Sequence, residues 1–427
     1  MKQEIKERIE LINKGLVPAG YKKTPVGICP VEWEENIYRN LGEFAKGKGI
    51  PGYALLDNGL PCVGYGDIYT KYNIKFNAAK CFTDEITAKD SKKISKNTLL
   101  FTGSGETAEE IGKCVCYCGD EDISAGGDII LFNSYNVNPL FLSYQQNFWP
   151  FIKEKARLGQ GHSVVHIYPD DISKLHAIFP KTKPEQEKIA EILDCATRQV
   201  ELQEQLVDKL KVQKKALMQK LLTPQPDWQK LKLKNIINFY NGYSFKSETY
   251  VKNGAFYVIT ISNVKDDGFI LQEDTSTIEK IPTDIRDYQI LRKGDILISM
   301  TGNVGRVCKV ESDNCLLNQR VGKIEVKKEF DKNFIFYSLQ SYSFVEKIKL
   351  LAQGAAQDNM SVKDINNHII YLPKNKEIQS NISNVLSNID KQIELEQKLF
   401  LKHLVDIMKL GKELFLMVYL QSSITKW

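Results

Sequence analysis

Two long stretches of the chain carry apolar residues at alternating steps of four and three. The first series is Ile189, Leu193, Ala196, Val200, Val207, Leu210, Leu217 and Leu221, and the second is Ile382, Leu386, Ile389, Ile393, Phe400, Ile407, Leu410 and Leu414. This spacing predicts two helices with one apolar seam each. The first, Pro184 to Leu222, would be roughly 58 Å long at 1.5 Å per residue.

Helices of this length exceed what one domain needs for its own core. Each helix packing only on its own domain is the alternative, but a seam of about five heptads in both favours their pairing as an antiparallel coiled coil. Gln203 and Glu396 interrupt the two seams at equivalent positions, where a polar residue commonly fixes the register.

The chain also repeats itself. Residues 151–221 align with 344–414 without a gap, at a shift of 193. Earlier positions repeat more loosely: Trp33 and Gly47 match Trp228 and Gly242 at a shift of 195, and Thr102 matches Thr301 at a shift of 199. Such a period is too long for a solenoid, whose units span roughly 20 to 50 residues. One fold is therefore expected twice, with loops of different length.

Short apolar runs bounded by glycine turns predict strands in both halves, at Leu60–Tyr65, Thr98–Thr102, Ala255–Ile261 and Asp295–Met300. Together with the long helices they predict an α+β protein: two similar globular domains separated by two antiparallel helices, related by an internal pseudo-two-fold repeat. The expected order is a helical segment 1–20, domain 21–180, helix 181–223, domain 224–372, helix 373–415 and an atypical tail 416–427.

Composition fits two ordinary cores, with 42% hydrophobic and 26% charged residues among 427. The longest apolar run, Leu414–Leu420, is far shorter than the 18 or so residues that span a bilayer, and the N-terminal stretch lacks the apolar core of a secretion signal. A cytoplasmic protein without a membrane partner is expected. A net charge of +5 favours anionic partners only weakly.

Several motifs for chemistry fail on inspection. Gly42 to Gly49 resembles a phosphate-binding loop, but Gly49 stands where Ser or Thr should bind magnesium. Asn138-Pro139-Leu140-Phe141 is better explained as a turn before a helix than as a methyltransferase motif. His162 and His166 have no histidine counterpart in the second copy. No catalytic residue and no cofactor are expected.

The nine cysteines do not suggest a metal site. They include no Cys-x-x-Cys pair, and the histidines do not lie at ligand spacing from them. Cys114, Cys116 and Cys118 alternate as residues on one face of a strand do. We expect buried thiols and no bound metal.

The loops offer side chains that suit DNA. Asn, Gln and Arg can contact base edges, while Lys and Ser serve phosphates, and these types recur in matched loops. The candidates are Lys46, Lys48, Tyr65, Asp67, Tyr69, Lys71, Tyr72, Thr102, Ser104, Gln160 and His162 in the first half, and Tyr243, Lys246, Ser262, Asn263, Lys265, Thr301, Asn303, Arg306, Asn318, Gln319, Arg320, Gln353 and Gln357 in the second.

Several motifs together resemble the specificity subunits of type I restriction-modification enzymes. They are Trp33 and Trp228 shortly after Pro30 and Pro226, the Thr-Gly turns, the Gln-Gly loops, Phe179-Pro180-Lys181 before Glu185–Ala190, and Lys214–Thr223. The resemblance covers nearly the whole chain. It implies two target-recognition domains, each reading one half of an asymmetric split site in double-stranded DNA, with the helices as a spacer ruler.

The resemblance also implies partners. Two modification subunits would supply S-adenosylmethionine chemistry, and restriction subunits, joined through them, would supply ATP-driven translocation and cleavage. This chain would itself be non-catalytic. The sequence departs from the family pattern after Gly411, so an altered C-terminal end is expected. The alternatives are a self-sufficient DNA methyltransferase, disfavoured by the missing cofactor loop, and a coiled-coil scaffold, which would need no base-reading loops.

Overall fold

The computed structural model describes residues 7–8, 10–12, 14–161, 163–265, 268–269, 275–353 and 360–415. The chain divides into two compact units, one formed by Met1–Gln203 with Leu399–Trp427 and the other by Glu204–Lys398. Both units mix short strands with helices, so the predicted α+β class is confirmed. The division falls within the two long helices, Lys183–Leu221 and Lys376–Phe415.

The first unit contains a domain built on two sheets. The large sheet has the strand order Gly42–Lys46, Ile129–Ser134, Leu99–Thr102, Cys114–Tyr117 and Lys75–Phe76; the smaller one has the order Cys81–Thr83, Leu60–Val63, Ile123–Ala125 and Lys92–Ile94. Three two-stranded pairs join Tyr21–Thr24 to Gly27–Pro30, Glu34–Ile37 to His176–Phe179, and Ser104–Gly105 to Val165–His166. The short helices are Tyr65–Thr70, Glu85–Asp90, Pro139–Gln146, Trp149–Leu158 and Pro169–Ile172.

The core of this first domain is aromatic. Tyr38 packs edge-on against Phe101, with ring centroids 5.9 Å apart, and lies 4.8 Å from the ring of Phe132. Ile189 and Leu193 of the first long helix are buried in the same cluster. The start of that helix therefore belongs to the domain core, and not only to a helix seam.

The second unit contains a domain with a similar framework. One sheet, which corresponds to the large sheet of the first domain, has the order Ile237–Asn241, Val321–Val326, Ile296–Ser299 and Val307–Lys309. A second sheet has the order Tyr250–Val251, Thr277–Ile278, Phe256–Ile259, Cys315–Leu317 and Ile290–Leu291. Gln229–Lys232 pairs with Ile369–Leu372, and Val264–Lys265 with Gly268–Phe269. The short helices are Lys332–Leu339, Tyr342–Gln353 and Val362–Asn367.

The repeat found in the sequence is present in the contacts of each domain. Trp33 meets Phe141 edge-on at 6.1 Å between ring centroids, and Trp228 meets Phe334 in the same way at 5.8 Å. The predicted turn at Asn138 is also present, because its side chain accepts a hydrogen bond from the backbone N–H of Phe141 and caps the helix that follows. The two domains are copies of one fold.

The long helices contact each other within each unit. In the second unit, Leu210 is buried in a cluster with Ile389 and Ile393, and Nζ of Lys214 lies 2.6 Å from the Asp390 carboxylate. Later positions of one helix meet earlier positions of the other, so the helices run antiparallel there. In the first unit, the Gln199 amide nitrogen lies 3.2 Å from Nε2 of His403.

The predicted seam residues differ in burial. Val207, Leu386 and Ile393 are buried, and Val200, Leu217, Ile382 and Phe400 are half-buried. Leu410 is helical, but its side chain lies outside the described residues. All nine cysteines are free thiols. Cys114 and Cys116 are buried as predicted, whereas Cys118, which follows the strand Cys114–Tyr117, is only half-buried. Over the described residues, no helix combines the length and apolarity needed to cross a membrane.

Candidate nucleic-acid interface

In the first domain, several predicted DNA-binding residues meet at one end of the large sheet. Lys46 pairs with Ile130 and Thr102 pairs with Ile129. The strands Gly42–Lys46 and Leu99–Thr102 therefore end beside the start of the strand Ile129–Ser134. Backbone hydrogen bonds tie the following loops together, from Gly47 N–H to the Ile129 carbonyl at 2.9 Å and from Gly103 N–H to the Asp128 carbonyl at 2.7 Å. Lys46 and Lys48 are exposed at this end.

A small hairpin brings Gln160 to the same end. Ser104 pairs with His166 as part of an antiparallel ladder, and the backbones of Gln160 and His166 exchange hydrogen bonds of 2.9 and 2.8 Å. Gln160 is exposed. Residues far apart in the chain thus form one surface, which we call the first edge: Lys46, Lys48, Gly103, Ser104, Asp128, Gln160 and His166.

The first edge holds a serine, a histidine and an aspartate in contact. Oγ of Ser104 lies 2.9 Å from Nδ1 of His166 and 3.5 Å from the Asp128 carboxylate. In a catalytic triad the histidine stands between the serine and the acid. Here the serine stands in the middle, so the contacts fasten the hairpin to the sheet and do not activate a nucleophile.

Three of the predicted residues hold this edge from inside. The hydroxyl of Tyr69 lies 2.7 Å from Oγ1 of Thr102, which is fully buried, and donates to the Ser104 carbonyl at 3.0 Å. Burial raises the pKa of Tyr69, so the hydroxyl keeps its proton and remains a donor. Tyr69, Thr102 and the nearly buried Ser104 position the loop and present little surface of their own.

Three other candidates form a separate cluster. Asp67 is buried, accepts a hydrogen bond from the Gly64 N–H and lies 3.0 Å from Nζ of Lys71. Hydrogen bonds with Cys81 and Asp67 raise the pKa of Lys71. Tyr72 is buried as well, and its hydroxyl accepts from the Lys80 N–H at 2.7 Å. These side chains bind one another, whereas Tyr65 is exposed.

The second domain repeats the arrangement at the corresponding end of its sheet. Asn241 pairs with Gly322 and Ser299 pairs with Val321, so the matching strands end and begin together. The Gln319 N–H donates to the Tyr243 carbonyl at 3.0 Å, and the Met300 N–H to the Arg320 carbonyl at 3.0 Å. We call this surface the second edge: Gly242, Tyr243, Thr301, Asn303, Arg306, Asn318, Gln319 and Arg320.

A glycine permits close backbone contact at each edge. A Cβ added to Gly47 would lie 1.9 Å from the Gly126 carbonyl oxygen, and one added to Gly242 would lie 2.1 Å from the Asn318 carbonyl oxygen. No larger residue fits in either place. The glycines matched in the sequence therefore serve the same packing role in both domains.

Side chains at the second edge divide into exposed and framework groups. Asn303, Gln319 and Arg320 are exposed, while Arg306 is half-buried and Asn318 is buried. Thr301 is half-buried, and its hydroxyl oxygen is enclosed. The Tyr243 hydroxyl donates to the Asp284 carboxylate at 2.8 Å, and this hydrogen bond raises the pKa of Tyr243.

The remaining candidates of the second domain lie next to this edge. A Cβ on Gly302 would lie 3.4 Å from the Ile261 side chain, which places the turn containing Ser262 and Asn263 beside the Thr-Gly turn. Asn263 is buried and accepts from the Thr260 N–H at 3.0 Å, whereas Ser262 and Lys246 are exposed and Lys265 is half-buried. His162, Gln357 and the side chain of Gln353 lie outside the described residues.

Tyr53, an exposed aromatic residue near the first edge, is not among the residues that the sequence patterns predict. Tyr53, in a turn four residues after Gly49, is 91% exposed. The shift of 195 that aligns Trp33 with Trp228 also aligns this turn with residues 247–249, and that alignment was the available signal. Within the described residues, no group of three or more His, Cys, Asp or Glu side chains could hold a metal ion.

The folds and edges define a two-domain protein in which one α+β domain occurs twice, each copy followed by a long helix. Residues 225–401 match the family model described as "Type I restriction modification DNA specificity domain". The predicted resemblance to the specificity subunits of type I restriction-modification enzymes is confirmed: the matched residues lie in the second half of the chain, and the similarity to one such subunit extends over most of its length.

Relatives extend the similarity beyond the matched domain. The chain is 26% identical over 395 residues to the type I restriction enzyme MjaVIII specificity subunit of Methanocaldococcus jannaschii, which covers 86% of this chain and 88% of that protein. It is also 26% identical over 184 residues to the EcoBI specificity subunit of Escherichia coli, which covers 42% of this chain and 36% of that protein.

A solved structure shares the fold. The crystal structure of a type I restriction-modification S subunit from M. genitalium aligns with a TM-score of 0.61 at 17% identity, over 91% of this chain and 97% of that chain. At this identity the likeness concerns the fold alone. The long helices and the paired domains are thus features of a known architecture.

Proposed function

We propose that this chain is the DNA-recognition subunit of a type I restriction-modification complex, with each domain reading one half of a bipartite site. The observation that carries the proposal is the pair of matched edges. In both domains the same three strand ends present loops of hydrogen-bonding and basic side chains, and the exposed residues differ between the copies. Different side chains on one framework favour an asymmetric target.

The long helices act in this proposal as the ruler between the two half-sites and as the docking surface for two modification subunits. Support comes from the contacts between helices, Lys214 with Asp390 in one unit and Gln199 with His403 in the other. Methylation belongs to the modification subunits, and translocation and cleavage to restriction subunits bound through them. We expect the complex to act on double-stranded DNA in the cytoplasm.

The ruler is tested by lengthening both helices together. Seven residues inserted after Gln203 and seven after Lys398 add one heptad to each helix at the points where the chain passes between units, which keeps the seam in phase. Each insertion adds about 10 Å, equivalent to roughly three base pairs at 3.4 Å each. Sequencing of methylated sites in a host carrying the complex should show the same half-sites with a gap longer by that amount.

A matched control inserts the same seven residues at Gln225, in the segment between the first long helix and the strand Gln229–Lys232. This variant lengthens the chain but neither helix, so the gap should stay unchanged. An unchanged gap in the two-helix variant would overturn the ruler. Methylation by the chain without partners would instead indicate a self-sufficient methyltransferase, and the absence of any sequence preference would indicate a scaffold.

A further inference from the structure

The two domains share a short turn that the recognition loops described above do not include. It is formed by Gly52–Ala54 in the first domain and Ser247–Thr249 in the second, and both are single turns of 3-10 helix. The Ala54 N–H donates to the Pro51 carbonyl at 2.9 Å, and the Thr249 N–H donates to the Lys246 carbonyl at 3.0 Å. The same backbone device thus occurs at equivalent positions of the repeat.

Each turn is anchored by a buried apolar residue two positions before it. Ile50 packs with Cys62 and Cys81, and Phe245 packs with Val258 and Leu316. Ile50 has a φ of 59°, a left-handed conformation that a β-branched residue rarely adopts. The buried side chain holds Ile50 in this conformation, so packing in the core fixes the backbone at this point.

A hydrogen bond also holds the C-terminal end of the first turn. Oγ1 of Thr83 donates to the Ala54 carbonyl at 2.9 Å, and Thr83 is fully buried. The turn is therefore held at both ends. Such a turn presents its central residue in a defined direction, which lowers the entropy that a binding contact would cost.

The displayed residue differs between the two copies. The centre of the first turn is Tyr53, with 91% of its surface exposed, and the centre of the second is the exposed Glu248. The Tyr53 ring contributes almost no burial to its own domain. A fixed turn with an exchangeable central residue suits a position that determines what the domain contacts.

The first turn adjoins the first edge. The Lys48 N–H donates to the Ala125 carbonyl at 3.1 Å, and the Gly127 N–H donates to the Gly49 carbonyl at 2.8 Å. These bonds tie the approach to the turn to the segment that ends in Asp128 at the edge. Two exposed cations, Lys46 and Lys48, precede Tyr53 on the same stretch of chain.

We propose that Tyr53 is a DNA-contacting residue, whose ring inserts at a base step of the first half-site and stacks on a base there, while Lys46 and Lys48 contact neighbouring phosphates. This inference rests on the proposed function and adds one contact to it. Aromatic rings bind the faces of bases, whereas a carboxylate is repelled by the phosphate backbone. The turn with Glu248 therefore makes no equivalent stacking contact, and the ring contact belongs to one half-site.

The test uses the full chain assembled with its modification subunits and a duplex carrying the methylated target. Tyr53→Ala should weaken binding by roughly 5- to 150-fold, the range that loss of one base–aromatic stack produces. Tyr53→Trp should retain most of the affinity, because it keeps a ring face. Tyr135→Ala is the matched control, since this exposed tyrosine follows the strand Ile129–Ser134 at the opposite end of the same sheet.

A spectroscopic measurement separates stacking from a general loss of affinity. With 2-aminopurine placed in turn at each position of the first half-site, the wild-type and Tyr53→Ala complexes should differ in fluorescence at one position, because only the wild type places a ring against that base. The same probe in the second half-site should respond equally to both proteins.

The outcomes are distinguishable. Wild-type affinity and wild-type probe fluorescence in Tyr53→Ala, with sequence-specific binding intact, overturn the inference and leave the proposed function standing. Failure of Tyr53→Ala to assemble with the modification subunits, with unchanged thermal unfolding of the free chain, shows that the ring contacts protein and also overturns it. A wild-type complex without sequence preference overturns both proposals.

Discussion

Two glutamines at equivalent positions of the repeat join each long helix to its own domain. The side-chain oxygen of Gln186 accepts from the Asn138 N–H at 2.8 Å, and its amide donates to the Pro180 carbonyl at 2.8 Å. Gln379 makes the same two bonds, to Asp331 at 2.9 Å and to Pro373 at 2.7 Å. Both amides are buried, where an unsatisfied polar group costs about 1–3 kcal/mol. Their pairing explains why glutamine occurs twice.

Another pair of equivalent positions shows how the copies diverged. A Cβ on Gly112 would lie 3.0 Å from the side chain of Lys155, and a Cβ on Gly305 would lie 3.0 Å from Ile348. Lys155 is buried and donates to the carbonyls of Gly112 at 2.7 Å and Gln146 at 2.8 Å. A lysine in the first domain thus fills the place of an isoleucine in the second.

The change Lys155→Ile should alter how the stability of the first domain depends on pH. Burial lowers the pKa of Lys155 from 10.5 to about 8. Between those values the unfolded chain holds the proton and the native chain does not, so this group's contribution to stability rises with pH across the window. The penalty for burying the charge is complete below pH 8, and its full relief is on the order of 3 kcal/mol.

Hydrogen exchange of the helix Trp149–Leu158, in wild type and Lys155→Ile at matched pH, measures this effect. Wild type should gain protection relative to the variant as the pH rises from 8 towards 10. Comparison at each pH removes the contribution of groups that do not interact with Lys155, which both proteins share. A difference between the proteins that stays constant with pH would show that Lys155 is not the group responsible.

At the scale of elements, the apolar runs predicted strands well and their pairing poorly. The predicted strands Thr98–Thr102 and Asp295–Met300 are observed as Leu99–Thr102 and Ile296–Ser299. Nothing in the sequence indicated that Lys75–Phe76 pairs in parallel with Cys116–Tyr117, because such partners lie far apart in the chain. Side-chain periodicity identifies a strand and its faces, but it does not identify the neighbouring strand.

Part of the candidate site was equally beyond sequence reasoning. Asp67 and Asn263 have the chemistry of DNA contacts, yet both are buried and bonded to backbone within their own domains. A polar residue type does not reveal whether its partner is solvent, ligand or its own main chain. The matched Thr-Gly turns were more informative, because their recurrence marked the sheet ends where the loops meet.

A polar cluster of Lys214, Tyr337 and Asp390, which we call the latch, links the two long helices to the second domain. The hydroxyl of Tyr337 donates to Asp390 at 2.6 Å, Nζ of Lys214 lies 2.6 Å from the same carboxylate, and the Lys214 ammonium lies 5.7 Å from the Tyr337 ring centroid. In the first unit, Tyr144 contacts Thr197 at 3.2 Å. The seam pattern predicts apolar contacts between the helices. The hydrogen bond and the ion pair at Asp390 add contacts that, unlike apolar ones, depend on orientation.

The latch gives a prediction for helix pairing. Lys214→Met should lower the free energy of opening of helix residues 204–221 by about 1 kcal/mol, the upper end for exposed ion pairs, because its charges are only partly exposed. The matched control is Lys398→Met, which removes an exposed pair with Glu394 on the second helix and should change little. Hydrogen exchange of residues 204–221 measures the effect of both substitutions. Equal effects of the two changes would contradict a special role for Lys214.

At the scale of the whole molecule, a comparison of the two domains separates the contacts that both copies keep from the side chains that differ between them. Both domains keep the tryptophan contact, the helix-anchoring glutamine and the glycine at the edge. The two edges differ in their exposed side chains. If each domain holds its own variable loops on a fixed framework, a change in one domain alters recognition of one half-site and leaves the other half-site unaffected. This independence can be tested by a substitution in one domain.

Arg320→Ala provides that test, because Arg320 is exposed at the second edge and its backbone is held by the Met300 N–H. Arginine commonly reads guanine through two hydrogen bonds, and a lost pair of this kind costs about 1–3 kcal/mol of discrimination. The variant complex should methylate sites degenerate at one position of the second half-site while the first half-site stays strict. Arg292→Ala, an exposed arginine before the strand Ile296–Ser299 at its opposite end, is the matched control and should leave the methylated sequence unchanged. Relaxation in both half-sites, or in neither, would contradict independent reading by the second edge.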